Sequence, residues 1–296
     1  MITQETIKNA ECVDIDSDVL KNAPGVPMSR RDILMGMALG SVVPILSSCS
    51  TNPETGRNQL VFFNDSQLDS MAATAWADMK TQMPQTTNTR LRSRVLNIWE
   101  RVEDGATTAA ASTSGRKWNE EEWEIAVFDS DTVNAFVMPG NKIGMFRGMT
   151  EFSENDDQIS TVLGHELGHV AGRHAAERLS LSMLSQAVLV AGNIAIAQTE
   201  TGRQYGQQIG ALGGAALQFG VLLPYSRQHE YEADRLGVDY MHAAGYDVRQ
   251  ATRLWELMDT SSKANRPPEF MSTHPEPGKR AVVLKNYINS RGYALI

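Results

Sequence analysis

The pentapeptide HELGH at residues 165–169 constrains the fold of this chain more than any other feature. On an α-helix, residues four apart project from nearly the same face, so His165 and His169 can offer their imidazoles to one ion. Glu166 flanks that face and can reach a water molecule at the ion without being a ligand. The pattern predicts a helix that holds a metal ion beside a carboxylate.

A catalytic zinc site needs a third protein ligand and leaves one position open. A histidine at position 175 would complete one common arrangement, but Ala175 stands there. The segment 225–234 offers the other common solution, a carboxylate on a later helix. Glu230 and Asp234 share one face of that predicted helix. Glu230 can therefore bind the metal while Asp234 accepts a hydrogen bond from a ligand histidine.

Three other residues near these motifs are weaker candidates. We predict one continuous helix over 153–180, and on such a helix His174 falls on the side opposite His165. A surface or supporting role is therefore predicted for His174. His229 and Glu232 are rotated away from the predicted ligand face of the later helix.

Two glycines, Gly164 and Gly168, lie within the metal-bearing helix. Each lowers helix stability by about 1 kcal/mol relative to alanine. We therefore expect another element to pack closely against the metal-bearing face, where a larger side chain would not fit.

The remaining patterns predict a mostly helical α+β domain. Apolar residues recur at helical spacing in 65–82 and 88–103, and further helices are predicted over 226–244 and 278–290. The Ala-, Ser-, Thr- and Gly-rich stretch 105–115 reads as a loop.

A small antiparallel sheet is predicted before the metal-bearing helix. Apolar residues alternate over 123–127, and two further strands at 133–138 and 141–146 flank Pro139-Gly140. Proline followed by glycine suits a type II turn, in which glycine accepts the positive φ. The two later strands are thus expected to form a hairpin.

Composition narrows the functional classes. With 42% hydrophobic and 21% charged residues, the chain suits a globular protein. A net charge of −8 without a dense basic run argues against nucleic acid as a partner. The apolar runs 187–197 and 209–223 are short for a membrane span, so buried helices are favoured over membrane insertion.

Residues 1–48 have the pattern of an export signal. Residues 29–34 resemble the twin-arginine consensus, and Met28 just before them is an alternative start. The apolar run 33–46 would span about 21 Å as a helix, short of the roughly 30 Å of a bilayer core. A signal segment therefore fits better than a transmembrane anchor.

The apolar run ends in LSSC, which matches the lipobox of bacterial lipoproteins and implies lipidation of Cys49. Ser50 after the cysteine favours the outer membrane. We therefore divide the chain into an export signal (1–48), a polar tether (49–64) and one domain (65–296).

The paired signature HExxH at 165–169 and SRxxExxAD at 226–234 resembles metallopeptidase family forty-eight, the family of the HtpX, CAAX prenyl protease and Oma-type zinc endopeptidases. The resemblance extends to 52–57, 134–140 and 272–275. With a lipobox ahead of it, the chain is most similar to the periplasmic lipoprotein branch.

This resemblance implies a zincin-like (gluzincin) peptidase domain with a hairpin beside the HExxH helix. It implies one Zn²⁺ per chain on His165, His169 and Glu230, with Glu166 as the general base that hydrolyses a peptide bond.

Two further roles follow from the resemblance. Asn134, Ala135 and Phe136 lie on the edge strand that a peptide substrate would join as an added strand. His274, in a proline-containing loop, either becomes a fourth ligand in a closed state or stabilises the oxyanion. A buried or surface histidine without such a role is the open alternative.

The expected function is a zinc-dependent metalloendopeptidase of the bacterial cell envelope, lipid-anchored and facing the periplasm. Its expected partners are misfolded or misassembled envelope proteins as substrates and the membrane through the lipid. The alternative is an envelope-protein assembly chaperone with latent proteolysis, but an intact Glu166 favours the enzyme. A structural zinc site is disfavoured because such sites close with four ligands.

Overall fold

The computed structural model describes residues 49–197, 223–263 and 267–293. Helices dominate, and the predicted α+β class is confirmed. In chain order the elements are β1 (Cys49–Thr51), β2 (Asn58–Leu60), α1 (Asp65–Gln82), α2 (Thr89–Ala110), a 3-10 turn (Trp118–Glu120), β3 (Glu124–Phe128), β4 (Ala135–Met138), β5 (Lys142–Phe146), α3 (Arg147–Phe152), α4 (Asp156–Ala171), α5 (His174–Ala197), α6 (Leu223–Ala243), α7 (Arg249–Ser262), α8 (Phe270–Thr273) and α9 (Pro277–Arg291).

Helix α4, which carries HELGH, lies at the centre of the core. The Asn155 side chain caps its first turn by accepting a hydrogen bond from the Gln158 amide at 2.9 Å. Nearly all of its residues are buried, which is the expected behaviour of a helix that is surrounded on every side. Its main partner is α6, and α2 and α7 also pack against it.

The two glycines of α4 face α6, and the predicted close approach is confirmed. A Cβ on Gly168 would lie 2.6 Å from the backbone oxygen of Ala233. A Cβ on Gly164 would lie 3.0 Å from the backbone oxygen of Gly237. Because α6 also carries Glu230, this approach brings the carboxylate beside the two histidines.

The central sheet has the order β3-β5-β4. The predicted hairpin β4–β5 is confirmed, and Gly140 has the expected positive φ (+76°), followed by Asn141 at +55°. The prediction that the whole sheet is antiparallel is wrong, because β3 pairs with β5 in parallel. The hairpin presents β5 rather than β4 to β3, and β4 is left at the edge.

Two helical segments differ from the sequence prediction. Helix α2 continues to Ala110, so the loop predicted over 105–115 is wrong in its first half. Gly105 there serves helix packing, since a Cβ would lie 2.3 Å from the Tyr240 backbone oxygen of α6. Helix α7 was not predicted, although its buried side chains follow helical spacing: Ala251, Leu254, Trp255 and Met258.

The continuous helix predicted over 153–180 is wrong. Helix α4 ends at Ala171 and α5 begins at His174, with Arg173 between them at φ +52°. A Cβ on Gly172 would lie 2.3 Å from the His174 ring, so only glycine lets that ring fold back over the end of α4. Arg173 in the left-handed region changes the direction of the chain, and Gly172 leaves room for the His174 ring.

Part of the segment predicted as a tether is folded onto the domain. Strands β1 and β2 form an antiparallel hairpin around a turn at 52–57, which we call the N-terminal hairpin (49–60). The buried Asn52 side chain donates to the Ala171 carbonyl at 2.9 Å. The hairpin is therefore seated on the break between α4 and α5.

Among the described residues, no helix has the length and apolar character needed to cross a membrane. The apolar run 187–197 forms the end of α5. The predicted helix over 209–223 falls almost entirely outside the described residues, and the export signal predicted over 1–48 falls wholly outside them.

Candidate metal centre

Four buried side chains converge from three parts of the fold: His165 and His169 of α4, Glu230 of α6, and His274 just after α8. One ligand atom of each lies within 4.8 Å of the others. The structure thus brings together the three residues selected by spacing. It also places His274 with them.

The contacts within this group fit a bound cation. The Nε2 atom of His165 lies 3.0 Å from His169 Nε2 and 3.1 Å from His274 Nδ1. One proton satisfies only one of these nitrogen pairs, whereas a metal ion accepts the lone pairs of all three rings. Glu230 Oε1 is buried and has no hydrogen-bond partner among the described residues. Imidazole nitrogens with one carboxylate are the donor set of zinc, so the residues present fit Zn²⁺.

Glu166 stands beside this group without belonging to it. Its Oε1 atom is buried, has no hydrogen-bond partner among the described residues, and lies 3.6 Å from His274 Nε2. The side chain also lines the cavity next to His169. This is the flanking position that the spacing predicts.

Asp234 lies against His165, with Oδ1 3.0 Å from His165 Nδ1. A carboxylate in this position fixes the ring tautomer and leaves Nε2 with a free lone pair.

Arg280 of α9 is a residue of the site that the sequence reasoning missed. It donates to both Asp234 oxygens, at 2.6 and 2.8 Å, and its Nη1 lies 3.1 Å from Glu230 Oε2. The guanidinium also lies 3.6 Å from the ring centre of Trp255. A signal was available, because Arg280 occupies the apolar face of α9 with Ala281, Leu284 and Ile288.

Burial and neighbouring charges shift the pKa values of His165, His169 and Glu230 in different directions. Burial and the Arg280 charge lower the pKa of His165, but hydrogen bonds to Asp234 and Glu230 outweigh them and raise it to about 9. Burial among the other imidazoles holds the pKa of His169 well below its usual value. Burial raises the pKa of Glu230, yet His274 and Arg280 bring it well below the usual range.

A cavity of about 850 Å³ opens beside the metal group. It reaches Glu166, His169 and His274, and its walls include the β4–β5 hairpin tip and the first turns of α5. Its size is that of a site for a ligand as large as a short peptide.

The predicted substrate strand borders this cavity. Strand β4 lies at the sheet edge, and no further strand pairs with it among the described residues. Phe136 lines the cavity, Ala135 is fully buried, and the Asn134 side chain accepts a hydrogen bond from the Ala135 amide at 2.9 Å.

The three weaker candidates lie outside the four-residue group but close behind it. His174 Nδ1 is 2.8 Å from His169 Nδ1, and His174 Nε2 is 2.8 Å from Glu232. Burial lowers the pKa of His174 to about 4 despite its bond to Glu232. His229 stacks on His174 with ring centres 4.2 Å apart. The break after α4 creates these contacts, which the continuous helix excluded.

A buried helix with two histidines and a flanking glutamate, joined by a glutamate from a second helix, defines a zincin-like metallopeptidase fold. The chain belongs to peptidase family M48, whose family model matches residues 99–288. Metallopeptidases of this family use zinc, which agrees with the donor set. The resemblance noted from the paired motifs is confirmed.

Similar proteins include two mitochondrial metalloendopeptidases and a bacterial protease. The mitochondrial metalloendopeptidase OMA1 of Schizosaccharomyces pombe is 33% identical over 168 residues, 56% of this chain and 47% of that protein. The Bos taurus OMA1 is 29% identical over 265 residues (86% and 49%), and the beta-barrel assembly-enhancing protease of Escherichia coli is 23% identical over 262 residues (87% and 51%). The chain spans about half the length of these relatives.

Proposed function

We propose that this protein is a zinc-dependent metalloendopeptidase. The observation that carries the proposal is the convergence of His165, His169 and Glu230 beside Glu166, whose buried carboxylate oxygen has no hydrogen-bond partner among the described residues. A structural zinc site does not require such a carboxylate in the lining of a cavity.

Different residues of the chain have different roles in hydrolysis. His165, His169 and Glu230 would hold the zinc, which when bound supplies a Lewis acid that polarises the scissile carbonyl. Glu166 accepts the proton of the attacking water and returns it to the leaving amine. Asp234 keeps the His165 proton on Nδ1, so that Nε2 presents its lone pair to the group.

The substrate is an extended peptide segment that joins β4 through main-chain hydrogen bonds. The edge position of β4 and the contact of Phe136 with the cavity support this placement. Because main-chain bonds carry little sequence information, the site would accept many unfolded sequences. Misfolded or misassembled envelope proteins are the substrate class that we propose.

Removal of the metal is expected to abolish cleavage. The protein is treated with 1,10-phenanthroline, freed of chelator, and assayed on an unfolded, fluorescently labelled protein before and after zinc is restored. One zinc per chain, measured by mass spectrometry of the metal, should restore the original rate. Full cleavage by zinc-free protein would contradict the proposal.

His274 is proposed as a fourth ligand of a closed state, since its Nδ1 lies 3.1 Å from His165 Nε2 and 2.8 Å from Glu230. We expect His274→Ala to lower zinc affinity at least tenfold. With zinc in excess, cleavage should be faster, because a catalytic site needs an open position. Unchanged affinity with slower cleavage would instead indicate oxyanion stabilisation. His242→Ala is the matched control, because His242 stacks on Tyr293 away from the metal group.

We further propose that Cys49 is lipidated and anchors the protein in the cell envelope, facing the periplasm, with the outer membrane favoured. The lipobox and the apolar run before it support this placement. The chain also aligns over 87% of its length with a protein named a beta-barrel assembly-enhancing protease.

The anchor is tested by labelling cells of a Gram-negative host with a palmitate analogue. Wild-type protein and Cys12→Ala should carry the label and sediment with membranes, whereas Cys49→Ala should not. Cys12 is the natural control because the chain has two cysteines. Equal labelling of both variants would overturn the assignment.

A further inference from the structure

A chain of hydrogen bonds leads from His169 through His174 and Glu232 to the N-terminal hairpin. His169 Nδ1 lies 2.8 Å from His174 Nδ1, and His174 Nε2 lies 2.8 Å from Glu232 Oε2. Arg57 of the hairpin donates to the same Glu232 from Nε at 3.2 Å and from Nη2 at 3.0 Å. His174 is fully buried, so this contact with His169 is shielded from water.

The chemistry of the two rings fixes the direction of each bond. A neutral imidazole that offers Nε2 to a metal carries its proton on Nδ1. His169 then donates to His174 Nδ1, and the proton of His174 must lie on Nε2. His174 donates that proton to Glu232, whose charge Arg57 balances. With both rings neutral, any other placement of their protons leaves two lone pairs or two protons facing each other, either between His169 Nδ1 and His174 Nδ1 or between His174 Nε2 and Glu232.

Local backbone features bring His174 into this position. A side chain at Gly172 would strike the His174 ring at 2.3 Å, and Arg173 adopts φ +52° to reverse the chain. A regular helix would place His174 away from His169. The break between α4 and α5 therefore also places the His174 ring against His169.

The hairpin is attached to the same region by several contacts. Arg57 forms a paired interaction with the buried Glu177, with Nη1 and Nη2 at 2.9 and 2.8 Å from its two oxygens. Asn52 donates to the Ala171 carbonyl, and Gln59 donates to the Gly172 carbonyl. The hairpin thus holds the end of α4 while its arginine faces the carboxylates behind His169.

We propose that Arg57, Glu232 and His174 are positioning residues that hold His169 in its metal-binding tautomer, so that seating of the N-terminal hairpin sets the zinc affinity of the site. The proposal rests on the zinc site proposed above and deepens it with a regulatory contact. Because coupling between two binding events is reciprocal, zinc also tightens the seating of the hairpin.

Substitutions at His174 test whether this residue orients the His169 ring or only fills the space beside it. Loss of a partner behind a metal ligand typically lowers metal affinity 10–100-fold. We expect that loss in His174→Ala and His174→Gln, measured by competition with a zinc-chelating dye. His174→Asn should recover most of the affinity, because its Oδ1 overlies the imidazole Nδ1 and accepts the His169 proton. Equal affinities in the three variants would overturn the proposal.

A control variant distinguishes this effect from general damage to α4. Arg94→Gln breaks an exposed ion pair with Asp156 at the far end of that helix and should leave zinc affinity unchanged. Circular dichroism confirms that each variant is folded. Failure of the wild type to bind zinc would refute the proposed function, whereas wild-type affinity in His174→Ala refutes only the positioning role.

The reciprocal effect is measured by hydrogen exchange in the full chain. Zinc should slow amide exchange across 52–57 several-fold in the wild type, and this protection should be lost in His174→Ala at zinc concentrations that saturate both proteins. Glu232→Ala should behave in the same way. Exchange at 52–57 that does not respond to zinc in the wild type would overturn the coupling.

Discussion

Replacing Glu166 with glutamine is expected to abolish peptide-bond cleavage while the protein still binds one zinc ion. Glutamine keeps the size and polarity of the side chain but cannot take a proton from water. Loss of a general base typically lowers the rate 10²–10⁴-fold. Glu166 lies outside the four-residue metal group, so its substitution leaves all four donors in place.

The comparison is made on unfolded envelope proteins, with zinc quantified in each sample. Glu151→Gln is the control, because Glu151 pairs with Arg147 on the surface of α3. This variant should cleave the substrate at the wild-type rate. Equal cleavage by the wild type and Glu166→Gln would contradict the role of Glu166 as general base. Loss of zinc from the variant would indicate that Glu166 is a metal ligand. Envelope assembly that survives in the inactive variant would favour the chaperone alternative.

The residues at the centre of the site could be predicted because each motif lies within a single helix. His165, Glu166 and His169 are fixed relative to one another by the helical repeat, and Glu230 and Asp234 by the repeat of a second helix. The two glycines of α4 also indicated in advance that a neighbour approaches closely. None of these inferences needed the path of the chain between the two helices.

The other residues around the site come together through the tertiary fold, which the spacing of residues in the sequence does not reveal. His274 and Arg280 reach the site only because α8 and α9 return to α4 and α6. His174 was placed on the wrong side because a single left-handed residue, Arg173, changes the direction of every residue that follows. Likewise, the parallel pairing of β3 depends on which edge the hairpin presents.

Replacing Arg280 with methionine is expected to lower the free energy of unfolding of the metal-free protein by about 3–5 kcal/mol. Methionine preserves packing against Trp255 but removes the charge that faces Asp234 and Glu230. Both carboxylates are buried, and a buried charge without its partner is strongly destabilising. For a domain of this size the melting temperature should fall by roughly 6–20 °C.

Three comparisons test whether charge is the cause. Arg291→Met on the same helix removes an exposed arginine and should change stability by less than about 0.5 kcal/mol. Adding Asp234→Asn to Arg280→Met should recover part of the loss, because it removes one uncompensated carboxylate. The loss should also shrink as the pH is lowered, since Arg280 helps to lower the pKa of Asp234; without it that pKa rises, and the protonated carboxyl carries no charge. A loss that neither the second substitution nor low pH relieves would mean that the unpaired charge of the buried carboxylates is not the cause of the destabilisation.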